Sequence, residues 1–172
     1  MRLPHLASLR RTVRTGGAMV NADIEDQPRS GRFAGSEHRF PVRVYFEDTD
    51  LSGVVYHANY LRFMERARSD MLRAAGIDQR GAFEAGEGVY AITNLAIRYR
   101  APARLDDDLL IVSRVMDTKA VSCVIQQRVM RGGVLVAEAE VTAAFLSPDG
   151  RPRRQPQAWL DAFRRLQGEE GL

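Results

Sequence analysis

The sequence predicts an α+β domain in which one antiparallel sheet packs on a single long helix. Four runs of alternating apolar and polar residues follow Val89, and strands joined by short turns pair antiparallel. Since one helix then has to cover a single sheet, the sheet is expected to curve strongly around it. Before these runs, one long stretch carries apolar residues at helical spacing: Tyr60, Met64, Ala67, Met71 and Ala75.

The long helix is predicted from about Asn59 to Ala75. Asn59 is a residue type that caps helix N-termini, and Gly76 suits the left-handed residue that follows a helix C-terminus. The polar residues 47–53 before it fit neither a strand nor a helix. The segment 81–88 after it contains three glycines and is predicted to be a loop.

The strands are predicted from period-two alternation. A first strand covers residues 42–47, and the later strands begin near Val89, Leu109, Val121 and Leu135. Between the last two strands, the pair Gly132-Gly133 is a hairpin signal. A short final helix is predicted from Pro156, because proline suits the first turn of a helix.

The chain of 172 residues is predicted to hold one domain, residues 38–168. Residues 1–37 are expected to be a disordered extension, the result of a start codon placed too early with Met19 as the true start, or a transit-like peptide. The net charge of +3 comes from this part, where four arginines precede the first acidic residue, Asp23. Without them the chain has 21 basic against 22 acidic residues, so no nucleic-acid partner is expected.

Two further classes of protein are disfavoured. No apolar run reaches the roughly 20 residues of a membrane helix, so membrane insertion is not expected. Cys123 is the only cysteine, which excludes an intrachain disulfide and is compatible with the cytoplasm. Its place on the apolar phase of a strand predicts a buried structural thiol.

Asp50 and His57 are the strongest candidates for chemistry. Asp50 lies in the polar turn, and His57 follows seven residues later at the helix entrance. A carboxylate there is an acid, base or nucleophile beside unpaired N–H groups, which stabilise negative charge on an oxygen. This is half of an acyl-transfer site. From these residues alone, a plain turn-capping role for Asp50 stays open and is the commoner use of such a residue.

Other motifs fail on their context. The acidic turn resembles the start of a calcium loop, but Asn59 stands where that loop needs a glutamate. The Gly86-x-Gly88 pair precedes a strand, whereas a dinucleotide fingerprint follows one. There is no G-x-S-x-G elbow, and two of the three histidines lie in or beside the N-terminal extension, so no metal site is expected.

Several stretches resemble the YbgC-type acyl-CoA thioesterases, which belong to the 4-hydroxybenzoyl-CoA thioesterase-like group. The likeness spans about residues 40–148, and its motifs are Glu47–Asp50, Gly53–His57 with Tyr60, Glu65–Arg68 and the turn Ala101–Asp107. It implies the hotdog fold, in which an antiparallel curved sheet wraps around one long central helix. It also implies cytoplasmic homodimers or homotetramers with active sites at the interface, often linked to the Tol-Pal envelope system. The implied substrate is an acyl-CoA or an acyl-carrier-protein thioester, with no cofactor.

Carried over by position, Asp50 matches the catalytic aspartate and His57 the residue whose backbone N–H polarises the thioester carbonyl. Glu65 is the rival carboxylate, although its spacing from Arg68 and Ser69 favours an ion pair. By position alone, four basic residues are candidates for binding the CoA nucleotide: Arg98, Arg100, Arg104 and Lys119.

Two departures from the family pattern bear on the site. Phe46 stands where close relatives often have tyrosine, which removes a hydroxyl, and Leu51-Ser52 replaces a smaller pair before Gly53. Two alternative functions on the same fold are a hydroxyacyl dehydratase and a non-catalytic acyl-CoA-binding protein of the Tol-Pal machinery.

Overall fold

The computed structural model describes residues 28–168. Six strands, three α-helices and one 3-10 turn follow one another along the chain. In order, they are β1 (Arg32–Ala34), β2 (Glu37–Arg43), the 3-10 turn (Phe46–Asp48), α1 (His57–Ala74), α2 (Gln79–Glu84), β3 (Val89–Tyr99), β4 (Asp108–Thr118), β5 (Ser122–Arg131), β6 (Val134–Leu146) and α3 (Gln157–Gln167).

The strands form one antiparallel sheet in the order β1-β2-β4-β5-β6-β3, and α1 packs against β2, β4 and β5. This confirms the predicted layout, a curved antiparallel sheet around one long helix, which is the hotdog arrangement. Each strand presents alternate residues to the helix, so the apolar phase of the sequence becomes the inner face. No described helix is long and apolar enough to cross a membrane.

The core lies between α1 and the sheet. The helical stripe predicted from the sequence is buried there, with Tyr60, Met64 and Ala67 at most 3% exposed. A second cluster lies at the far end of α1, where Phe163 of α3 closes the sheet over Cys123. As predicted, Cys123 is a buried thiol, and burial raises its pKa to about 12.

The predicted bounds of three elements need correction. The long helix begins at His57 instead of Asn59, because the Asn59 side chain donates to the Asp48 carbonyl (3.0 Å) from inside the first turn. It ends at Ala74, one residue before the predicted end, and Gly76 is in the left-handed region as predicted (φ 78°). The predicted loop 81–88 contains most of α2, which starts because the Asp78 carboxylate caps the Gly81 N–H at 2.9 Å. The strand predicted over residues 42–47 corresponds to β2, which stops at Arg43 and is followed by the 3-10 turn.

The sheet begins inside the segment predicted as an N-terminal extension. Strand β1 pairs with β2 through a tight hairpin, so residues 32–37 belong to the fold. The remainder of that predicted extension, residues 1–27, lies outside the described residues. Strand β1 is short and has no apolar periodicity, which is why the sequence pattern did not reveal it.

The hairpin of β1 and β2 covers a buried pair formed by His38 and Asp70. His38 is fully buried, and its Nε2 lies 3.0 Å from Oδ2 of Asp70 on α1. The same oxygen accepts the Gly31 N–H at 2.7 Å, and the Phe33 ring packs edge-on against the imidazole. Burial lowers the pKa of His38, although the Asp70 carboxylate opposes this effect. The pair therefore ties the β1–β2 hairpin to the second half of α1.

Candidate active site

The candidate site is built on Asp48, which joins the 3-10 turn to the start of α1. Its buried carboxylate accepts the Tyr45 N–H at 2.8 Å. Its backbone carbonyl accepts both the Tyr56 N–H (2.9 Å) and the Asn59 side-chain amide (3.0 Å). Because one buried residue holds both ends, the chain between positions 48 and 56 is a closed loop in front of the helix.

Asp50 lies in a tight turn within this loop. The Asp50 N–H donates to the Val54 carbonyl at 3.1 Å, and the Gly53 N–H donates to the Asp50 carbonyl at 2.9 Å. Gly53 has a φ of 72°, a conformation that a residue with a side chain rarely adopts. The turn therefore presents the carboxylate of Asp50 on the exposed surface of the loop.

The carboxylate of Asp50 is held by Ser52. Both the hydroxyl and the backbone N–H (2.8 Å) of Ser52 donate to Oδ1, and no donor to Oδ2 is recorded among the described residues. These hydrogen bonds, the hydroxyl first, lower the pKa of Asp50, and the charge of nearby His57 adds to the effect. Asp50 is thus ionised at neutral pH, with one oxygen free for chemistry.

The N-terminus of α1 faces the same loop with unpaired donors. The N-cap residue Tyr56 has no side-chain capping bond. Within residues 28–168, the N–H groups of His57 and Ala58 have no recorded acceptor, whereas those of Tyr56 and Asn59 are bonded. Free N–H groups at a helix N-terminus stabilise an oxygen that gains negative charge.

Aromatic side chains surround His57. The Tyr56 ring lies 4.4 Å from the imidazole centroid, and the Tyr99 ring lies 6.4 Å away, edge-on. The Tyr99 hydroxyl donates to the His57 carbonyl at 3.0 Å. Phe46, at the start of the 3-10 turn, is 81% exposed. Sequence reasoning missed Tyr99, because its position on a strand resembled that of any core residue.

Glu65 does not join Asp50 within one chain. It is eight residues past His57, about 12 Å further along the helix. Its two carboxylate oxygens are bound by Arg68 (2.6 Å) and Ser69 (3.0 Å). Arg68 is itself buried against Gln127. The ion pair that the spacing favoured is therefore formed.

The four basic candidates for binding the CoA nucleotide are not gathered in one place. Arg104 reaches the loop of residues 48–56, where it donates to the Gly53 carbonyl at 3.4 Å. Arg98 and Arg100 lie on the outer face of the sheet beside Glu138, to which Arg100 donates at 2.6 Å. Lys119 lies in the β4–β5 turn, 3.8 Å from Asp117.

The turn Ala101–Asp107 completes the site by packing on the loop. The Val55 N–H donates to the Ala103 carbonyl at 2.8 Å, and the Ala103 N–H donates to the Tyr60 hydroxyl at 3.1 Å. The turn thus holds the loop and α1 in register. No group of histidine, cysteine or acidic side chains suited to a metal occurs in the described part of the chain.

Comparison with known proteins places this arrangement among thioesterases. Residues 44–165 match the model of a family described as the thioesterase-like superfamily. The chain is 41% identical over 128 residues to the acyl-CoA thioester hydrolase YbgC of Escherichia coli O157:H7, a match covering 73% of this chain and 95% of the relative. It is 43% identical over 105 residues to the acyl-CoA thioesterase YbgC of Haemophilus influenzae, covering 61% and 77%.

Solved structures agree with this placement. A probable thioesterase from Bartonella henselae is 35% identical with a TM-score of 0.66, over 70% of this chain and 99% of that one. A 1,4-dihydroxy-2-naphthoyl-CoA thioesterase from Synechocystis shares the fold, with a TM-score of 0.69 at 22% identity, over 74% and 95%.

Proposed function

This chain belongs to the thioesterase-like superfamily and is a thioester hydrolase, and we propose that it cleaves acyl-CoA at the Asp50 loop. The observation that supports this assignment is that two functional groups lie next to each other. An ionised carboxylate with a free oxygen lies beside a helix N-terminus whose first N–H groups are unpaired. These are a nucleophile or base and a binding site for the developing oxyanion.

In the proposed reaction, the thioester oxygen accepts the His57 N–H, which polarises the carbonyl carbon. Asp50 Oδ2 then follows one of two routes. It attacks the carbon, expels the CoA thiolate and leaves a mixed anhydride that water hydrolyses, or it takes a proton from a water that attacks the carbon. In both routes the attacking water supplies the proton that the departing thiolate takes up, and the His57 imidazole, which is exposed beside the same turn, can relay it.

Oxygen labelling separates the two routes. In a single turnover in ¹⁸O-water, hydrolysis of a mixed anhydride by attack on the aspartyl carbonyl leaves one labelled oxygen on Asp50. The general-base route labels only the released acid. A labelled Asp50 peptide in mass spectrometry therefore identifies the anhydride route, with the Asp50→Asn protein as the unlabelled control.

The substrate is tested by following thiol release across a panel of short-chain, long-chain and aromatic acyl-CoAs, and an acyl-carrier-protein thioester. We expect turnover of at least one acyl-CoA, and the ratio of kcat/KM values between the two carriers decides which is preferred. No turnover with any member of the panel would refute the proposed site and substrate together.

We also propose that the active form is a homodimer or homotetramer assembled along β3. Within residues 28–168, β3 pairs only with β6, so its other edge has unpaired backbone groups. This edge strand is 11 residues long and exposes Val89, Ile92 and Tyr99. A long apolar edge of this kind favours pairing with another strand.

Because Tyr99 touches His57, a second copy on this edge would border the active site. Light scattering coupled to size exclusion measures the assembly, with two or four times 19.3 kDa expected. A monomer that stays fully active at the same concentration would contradict this arrangement.

A further inference from the structure

Tyr99 is the last residue of β3 and reaches across to the first turn of α1. Its hydroxyl donates to the His57 carbonyl at 3.0 Å. Its ring packs edge-on against Tyr60 (5.6 Å), whose own hydroxyl accepts the Ala103 N–H. The phenol is thus held in place by the core on one side and directed at a single backbone oxygen on the other.

The carbonyl that Tyr99 binds belongs to the same peptide unit as the N–H of Ala58. That N–H has no recorded acceptor among the described residues. A donor on the oxygen of an amide draws electron density from its nitrogen, because the amide is conjugated, and the N–H becomes a stronger donor. The hydrogen bond of Tyr99 therefore acts on a free donor at the N-terminus of the helix.

We propose that Tyr99 is a positioning residue of the thioester site, and that it orients and polarises the His57–Ala58 peptide so that the Ala58 N–H is a second donor to the thioester oxygen. This inference rests on the proposed function of the Asp50 loop. It makes the oxyanion site a pair of successive N–H groups, of which His57 supplies the first. It also gives the site a hydroxyl, that of Tyr99.

A purely structural role does not explain this contact well. Tyr99 is 46% exposed in the single chain, so the hydrogen bond of its hydroxyl contributes little to the stability of one subunit. The contact also falls in the first turn of α1, which lacks a side-chain cap and whose first N–H groups have no acceptor within the described residues.

Kinetics of Tyr99→Phe test the proposal. We expect kcat and kcat/KM to fall together by about five- to tenfold, with KM unchanged, because the lost effect belongs to the transition state. The melting temperature should stay at the wild-type value. The matched control is Tyr90→Phe, which removes a partly buried hydroxyl bonded to Gln155 and should lower the melting temperature without changing kcat. An unchanged kcat in Tyr99→Phe would overturn the proposal.

A second readout does not depend on activity. In ¹⁵N-labelled protein, the Ala58 amide proton should move upfield in Tyr99→Phe, since the ring stays and only the hydroxyl is lost. An Ala58 resonance that does not move overturns the proposal. If the wild-type protein hydrolysed no thioester, the proposed function would fail, whereas the Ala58 shift would still report on the contact. If the wild type is active, and Tyr99→Phe keeps both the wild-type kcat and the wild-type position of the Ala58 amide resonance, only the inference on Tyr99 fails.

Discussion

Helix α1 brings an aspartate and a histidine together at each of two places, and the two pairs differ in almost every respect. At its N-terminus, Asp50 and His57 are exposed and influence each other through charge, with no hydrogen bond between their side chains in the described structure. In its second half, Asp70 and His38 are buried, 3.0 Å apart, and covered by the β1–β2 hairpin.

The difference teaches that surroundings, and not residue types, decide what such a pair does. Oδ2 of Asp70 accepts the Gly31 N–H and lies against His38, so this oxygen is not available to a substrate. Asp50 is bound through Oδ1 alone, by a neighbour in its own turn, and faces unpaired helix donors. The buried pair should therefore govern stability and the exposed pair activity.

The largest expected effect is that of Asp50→Asn on activity. An amide is neither a base nor a nucleophile, so kcat should fall by about two to three orders of magnitude. Folding and assembly should match the wild type, since the side chain is exposed. Thiol release measures the loss, and circular dichroism with light scattering checks the fold.

Glu65→Gln is the control for this substitution and should keep most of the activity, because Glu65 is bound by Arg68 and Ser69. If Asp50→Asn stayed active while Glu65→Gln lost its activity, the assignment of the site would be wrong.

Asp70→Ala should lower the stability of the protein, whereas Asp50→Asn lowers kcat. Asp70→Ala leaves the Gly31 N–H without its acceptor and removes the carboxylate beside the buried His38 imidazole, and the free energy of unfolding should fall by about 3 kcal/mol. Urea denaturation measures this. Glu84→Ala, which breaks the exposed pair with Arg80, should cost under about 1 kcal/mol. Equal losses in the two variants would show that the buried pair has no special weight.

Mild acid should weaken the stabilisation that the buried pair provides. Burial lowers the pKa of His38, so between that value and the ordinary 6.5 the unfolded chain binds the proton more readily. The contribution of the buried, neutral His38 to the free energy of unfolding is therefore fully present above pH 6.5, and it is lost as the pH falls below that value. Denaturation curves at successive pH values should show this slope in the wild type and a smaller one in His38→Gln. A slope that the substitution leaves unchanged would assign it to other groups.

Ser52→Ala should have the smallest effect at neutral pH. Its hydroxyl is the main cause of the lowered pKa of Asp50, so its removal should raise that pKa while leaving the carboxylate ionised near pH 7. The acid limb of the pH–kcat profile should therefore move to higher pH, with little change on the plateau. A limb that stays in place would mean that a different group sets it.

Much of the fold could be predicted, because α1 and the four strands after it carry long periodic patterns. The elements that were missed depend on single contacts. Strand β1 has only three residues, and α2 depends on the Asp78 cap within a glycine-rich stretch. For the site, the turn and the helix entrance pointed to Asp50 and His57.

Contacts between residues distant in sequence were beyond reach. The pairing of His38 with Asp70 and the reach of Tyr99 to His57 both join separate elements, and no local pattern encodes them. Strand parity explains Arg98, which alternation turns to the outer face of the sheet, away from the loop that Arg104 reaches.

The buried thiol of Cys123 makes this protein a convenient background for chemical labelling. It is the only sulfhydryl in the chain, it is 2% exposed, and its pKa of about 12 keeps it protonated. Because the thiolate is the reactive form, maleimides and other thiol-reactive fluorophores should not react with the native protein. A cysteine introduced at an exposed position such as Leu51, in the loop of residues 48–56, would then be the one reactive thiol. A fluorophore attached there would report on the conformation of the loop during turnover.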